Sequence, residues 1–161
     1  MKLQKYWEAH FLTLECIASV VLAVTFFIWS DLVDGNKTLT TLLDSNRKEI
    51  YGALATIFGS LLGFIITAVS IIIGYSSTER LSPLTESKHY ADLWKTFIST
   101  IKGLAIATIL SLAGLIFDKD SQPFWPILYL NFWMTTFVIF RLGRSIWIFE
   151  SILKILIKKK S

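Results

Sequence analysis

The sequence predicts an all-α integral membrane protein: a four-helix bundle with a cytoplasmic amphipathic C-terminal helix. Three observations carry that expectation. Hydrophobic residues make up 53% of the 161 and charged residues 17%, against about 25% charged in ordinary soluble domains. The mean hydropathy is +0.58. The apolar residues also arrive in four blocks parted by short polar stretches, so residues 1–161 read as a single domain without a solenoid repeat.

Each block is judged against a hydrocarbon core that calls for about 20 apolar residues per helix. The first span, 11–33, is interrupted by Glu15, and the second, 50–75, has no charge between Glu49 and Glu79. The third, 97–117, is broken only by Lys102; the fourth, 123–141, is uncharged between Asp120 and Arg141. Pro123 and Pro126 fall near the start of the fourth, where a helix tolerates proline. In hydrocarbon every backbone polar group must pair internally, which forces helices. Met1 to Lys5 followed by an apolar run imitates a secretory signal, but no small-residue cleavage site precedes Asp31, so the segment reads as a retained helix.

From Arg141 onward the pattern changes. Leu142, Ile146, Phe149, Leu153 and Leu156 share one helical face, and Arg144, Ser151, Lys154 and Lys158 the other, giving an amphipathic helix over 142–158. It either prolongs the fourth span and packs with copies of itself or lies on the membrane held by Lys158, Lys159 and Lys160.

Orientation follows from the sixteen Lys and Arg residues. Lys37, Arg47, Lys48 and Lys119 fall on one side of the four spans and the remaining twelve on the other, so the positive-inside rule makes both termini cytoplasmic. The net charge of +4 therefore reads as topology and lipid-bilayer contact, and no direct nucleic-acid partner is expected. Between the second and third spans, Ser76 to Lys95 is the largest cytoplasmic polar stretch, and Arg80 and Lys88 join Lys154, Lys158, Lys159 and Lys160 as candidate partner or lipid contacts. Asp44 or Ser45 is placed to cap the second span, and Asp118-Lys119-Asp120 reads as a tight turn.

Charges inside the spans are expensive and so informative. Glu15 and Lys102 are lone ions about one turn inside apolar helices, both in the inner leaflet by the predicted topology. They either sit wet at the interface, Lys102 snorkelling to the headgroups, or form a pair, with Arg141 or Arg144 beside them, that lines a polar vestibule. In the second span Ala55, Gly59, Gly63 and Thr67 make a small-residue ridge, matched in the third by Ser99, Gly103, Ala107 and Ser111. Such ridges let helices approach closely in lipid, and these two helices are expected at the centre. Thr56, Gly59, Ser60, Gly63, Thr67 and Ser70 serve either this packing or a water-filled pore lining. Asn131, deep in the fourth span, needs a hydrogen-bond partner.

Chemistry of other kinds finds little support. Cys16 is the one cysteine, which excludes an intrachain disulfide and reads as a small buried hydrophobe. His10 and His89 fall in no metal-ligand spacing, no nucleophile elbow or phosphate loop occurs, and Glu86, His89 and Asp92 read as a solvated loop face. No enzyme activity, cofactor or metal is expected.

The order of features resembles the RexB-like phage-exclusion membrane proteins. The resemblance lies in Tyr51-Gly52-Ala53-Leu54-Ala55 opening an apolar helix that closes on Ile73-Gly74-Tyr75, then Thr78-Glu79-Arg80-Leu81, a charged loop with Tyr90, and a third apolar helix ending near Leu115. It covers residues 50–117 and implies a small four-span effector of antiphage defence that depolarises the bacterial inner membrane as an ion channel, under a cytoplasmic sensor. The chain departs from that pattern in its long basic C-terminal helix and in fewer basic residues after the second span. A single bundle fills its own centre with side chains, so conduction implies a homo-oligomer. The alternative is a non-conducting membrane subunit or regulator that docks a soluble partner through its cytoplasmic loop and C-terminal helix.

Overall fold

A computed structural model describes residues 2–32, 35–75 and 88–158. Among them the chain is all-helical, with α1 (Lys2–Leu32), α2 (Gly35–Leu43), α3 (Arg47–Tyr75), α4 (Lys88–Phe117) and α5 (Trp125–Lys158). Three helices are long and apolar enough to cross a membrane, through Thr13–Leu32, Arg47–Gly74 and Leu93–Phe117. Helix α5 falls short of that standard because Pro126, Tyr129, Asn131, Trp133 and Arg141 dilute its apolar run.

The main packing runs in a row, α3 on α4, α4 on α5 and α5 on α1, with the short α2 folded back on α1. Neighbours in the row are antiparallel, as cross-contacts at both ends establish. Between α4 and α5, Ser111 meets Asn131 and Thr100 meets Ser145; between α1 and α5, Ser30 meets Tyr129 and Glu15 meets Arg141. The core is Phe58 of α3, Leu104 and Ala107 of α4, and Met134 and Val138 of α5.

The expected centre therefore needs correction. Helices α4 and α5 hold the middle of the row, and α3 is at its edge, with 6% of its apolar stretch buried against 33% for that of α4. The α4 ridge faces α5 rather than α3: a Cβ at Gly103 would stand 3.0 Å from the Phe137 ring, Ala107 is fully buried, and Ser111 bonds Asn131. A four-residue step overshoots a turn by about 40°, so the α3 ridge spirals away from α4. Gly59 still approaches Thr108, but Gly63 meets nothing within 4 Å.

Local detail adds to this. Of the two courses expected for residues 142–158, the chain takes the one that prolongs the preceding helix, because α5 continues unbroken from Trp125 to Lys158; no helix breaker follows Arg141 except Gly143, which a helix accepts at a cost of about 1 kcal/mol. Helix α3 starts at Arg47, so Asn46 precedes it, and its carbonyl accepts from the Ile50 amide. Ser45 turns the chain at φ 62°. The α2 turn was not foreseen; its Gly35 sits where a Cβ would meet Ser30 Cα at 2.9 Å, so the chain reverses tightly against α1. Of the residues expected to contact a partner or lipid, Arg80, Lys159 and Lys160 lie outside the described residues, as does most of 76–95; Lys88, Lys154 and Lys158 belong to helices α4 and α5.

Candidate functional site

Two charged clusters and one polar stripe stand out, and each begins with a residue the apolar pattern would not place where it is. The first cluster joins α1 to α5. Arg141 Nη1 donates to Glu15 Oε2 at 2.9 Å, with the two residues 3% and 8% exposed. The Arg141 guanidinium also stands 4.8 Å from the centre of the Phe137 ring, and Arg144, a turn further on, lies 4.7 Å over Trp147. Arginine suits this place, since its planar, weakly hydrated group bonds a carboxylate and stacks on an aromatic face at once.

The partner expected for Glu15 is thus corrected. Lys102 is exposed. It lies on the face of α4 with Ile98, Ile106 and Ile109, opposite the buried Thr100, Leu104 and Ala107 that look toward α5. Helix α1 packs chiefly on α5, and Arg141 of that helix supplies the cation that bonds Glu15.

Toward the far end, the same seam carries paired polar groups rather than an open path. Trp133 Nε1 donates to Ser19 Oγ at 3.2 Å, and the Ser30 and Tyr129 hydroxyls bond at 2.8 Å. Phe26 and Phe132 stack between them, ring centres 4.0 Å apart. On the other side of α5, the Asn131 amide receives Ser111 Oγ at 2.8 Å and donates to the carbonyls of Leu110 and Ile127 at 3.1 and 2.9 Å. Between Asn131 and Arg141 the α4–α5 interface is closed by Met134, Val138, Leu104 and Ala107.

The second cluster was read as a mere turn. Asp118, 2% exposed, accepts from Arg47 Nη1 at 2.8 and 2.6 Å, from the Tyr51 hydroxyl at 2.7 Å and from the Phe124 amide at 2.6 Å. Arg47 also stands 5.2 Å over the Trp125 ring. One carboxylate thereby fixes the start of α3 to the turn between α4 and α5. Against Gly114 of α4 the Tyr51 ring comes so close that a Cβ there would lie 2.5 Å away. The signal available in sequence was the charged Arg47-Lys48-Glu49 ahead of a long uncharged run, set against Asp118 directly after another.

The stripe belongs to α3. Thr56, Ser60, Gly63, Thr67 and Ser70 recur at steps of 4, 3, 4 and 3 and are all exposed. With about 3.6 residues per turn they lie on the face turned away from Tyr51, Phe58, Leu62 and Ile65, which pack toward α4. Thr56, Thr67 and Ser70 donate to the carbonyls of Gly52, Gly63 and Ile66, at 2.8 to 2.9 Å. Gly59, grouped with them in the sequence reading, faces α4 instead. Among the described residues no group of three or more His, Cys, Asp or Glu is placed to hold a metal ion.

The chain matches no protein-family model, no curated protein and no solved structure.

Proposed function

We propose that the chain crosses a bacterial inner membrane four times, with both termini cytoplasmic, and that its copies assemble through α3 around an ion-conducting path. The fourth crossing is supported by the hairpin itself. Helices α4 and α5 run antiparallel from a tight turn, so a bilayer crossed by one is crossed by the other. The lower hydropathy of α5 is tolerable because its polar groups are paired against α1 and α4.

The exposed stripe of Thr56, Ser60, Gly63, Thr67 and Ser70 carries the conduction reading. Among the described residues the stripe is left exposed, and the interior is filled by Phe58, Leu104, Met134 and Val138. A seven-residue alternation of small and hydroxyl residues suits a helix that meets copies of itself in lipid and offers hydroxyls to a wet centre. Depolarisation as a response to phage infection is the biological role implied by the RexB-like features of residues 50–117.

Two measurements test this together: oligomeric state in detergent and membrane-potential dye signal on expression. An assembled, depolarising protein supports the proposal. A monomer that leaves the potential unchanged ends it.

A second reading, a non-conducting subunit that docks a soluble partner, is favoured by the unbroken α5. At about 1.5 Å per residue its 34 residues reach well past a hydrocarbon core of about 30 Å. Co-purification of a soluble protein, lost on truncation after Arg144 and without any dye response, would select it.

A further inference from the structure

Beside the Arg47–Asp118 cluster lies a cavity of about 450 Å³. Its apolar lining is Leu115 and Ile116 in the last turn of α4, and its polar lining is Arg47 and Lys48 from the first turn of α3 with Asp118, Lys119 and Asp120 from the turn beyond α4. We propose that this cavity binds the phosphate of a membrane phospholipid headgroup. The inference rests on α3 and α4 crossing a bilayer and is independent of assembly and conduction.

Charge complementarity points to an anion. The Asp118 carboxylate is already occupied by Arg47, Tyr51 and the Phe124 amide, and Asp120 Oδ1 lies 3.6 Å from Arg47 Nε. Lys48 and Lys119 remain, both exposed and neither with a side-chain partner among the described residues. With Arg47 and Asp118 paired, two lysines face the one remaining carboxylate, that of Asp120, an excess of one positive charge. The first turn of α3 adds backbone amides without intrahelical acceptors, whose dipoles also favour negative charge.

Depth and apolar lining point to a lipid as the source of that anion. Ile116 and Phe117, 58% and 64% exposed, are the last apolar residues of α4 and are followed at once by Asp118, Lys119 and Asp120. That change from apolar to charged marks the level at which hydrocarbon gives way to headgroups. A phosphodiester at the polar lining accepts from the Lys48 and Lys119 ammonium groups, while its glycerol and first methylenes cover Leu115 and Ile116. Free phosphate gains nothing from that apolar lining.

The test is the thermal unfolding midpoint of the detergent-purified full chain with four additives: phosphatidylglycerol, phosphatidylethanolamine, diacylglycerol and inorganic phosphate. The two phospholipids are expected to raise the midpoint by about 3 °C at saturation, diacylglycerol and phosphate by nothing. The Lys48→Ala/Lys119→Ala variant, altered at exposed positions, should lose that rise, and Lys95→Ala/Lys102→Ala, at the opposite end of α4, should keep it. An undiminished rise in the first variant overturns the proposal. So does an equal rise with diacylglycerol, which would make the acyl chains the ligand, or with inorganic phosphate, which would make it a free-anion site. Failure of the membrane reading shows separately, as a chain that stays dispersed without detergent.

Discussion

Arg47 and Asp118, 71 positions apart, share two hydrogen bonds at a place where neither side chain is exposed by more than 3%. Removing one member of such a pair strands the other, a loss of about 3 to 5 kcal/mol, whereas replacing both with apolar groups of similar volume is far milder. Asp118→Ala should therefore unfold in detergent at much lower temperature or denaturant than wild type. Arg47→Met/Asp118→Leu should recover most of the difference. Equal losses in the single and double variants would show that Tyr51 and the Phe124 amide, not Arg47, are what Asp118 chiefly holds.

Glu15 and Arg141 make the corresponding test at the other end of the bundle. Glu15→Ala leaves a buried guanidinium without its carboxylate, and a loss of about 3 kcal/mol is expected. Lys102→Ala, at an exposed position, should stay within about 0.5 kcal/mol. The exchanged pair Glu15→Arg/Arg141→Glu should exceed either single exchange in folded yield and unfolding midpoint. Were Lys102→Ala as damaging as Glu15→Ala, the pairing described above would be wrong.

Two glycines separate packing within the chain from packing between chains. Gly114→Ala puts a Cβ 2.5 Å from the Tyr51 ring, which its bond to Asp118 holds in place; overpacking of this kind costs about 1 to 3 kcal/mol. Gly63 has open space around it. Gly63→Leu should leave the unfolding midpoint of the single chain unchanged yet lower the oligomer fraction seen by light scattering. An unaltered oligomer would exclude this face from assembly.

Proximity of α3 to its own copies is readable by disulfide cross-linking. In a Cys16→Ser background, Ser60→Cys and Thr67→Cys should give covalent dimers on mild oxidation in membranes, because both positions are on the exposed stripe. Phe58→Cys, whose position is 4% exposed and in the core, should not. Dimers from Phe58→Cys alone would place the contact elsewhere.

Where the long helices form was legible in the sequence, because hydrocarbon imposes the same demand on every residue of a span and a run such as Ile50 to Gly74 meets it without a charge; the short α2 was not. Which faces meet was not. Glu15 and Lys102 looked like partners because both sit a turn inside their helices, yet depth is one coordinate and helix rotation another, and rotation sends Lys102 away from α5. The same limit hid Asp118, whose three donors come from Arg47, Tyr51 and Phe124. The two ridges misled for a related reason: small residues mark a close approach without saying which helix approaches, and Gly103 turned out to receive Phe137. Asn131 was readable as a residue in need of a partner, and its geometry supplied Ser111.

The unbroken course of α5 has a mechanical consequence. Its 34 residues form a rod about 51 Å long, clamped along one half by α1 and α4 and reaching past the apolar zone with the other. A lateral force on the far tip acts through that lever at the last clamped levels, where Ser145 meets Thr100 and Arg141 grips Glu15. Leverage of this sort turns a load on the tip of α5 into tension on α1, with no loop in between to absorb it.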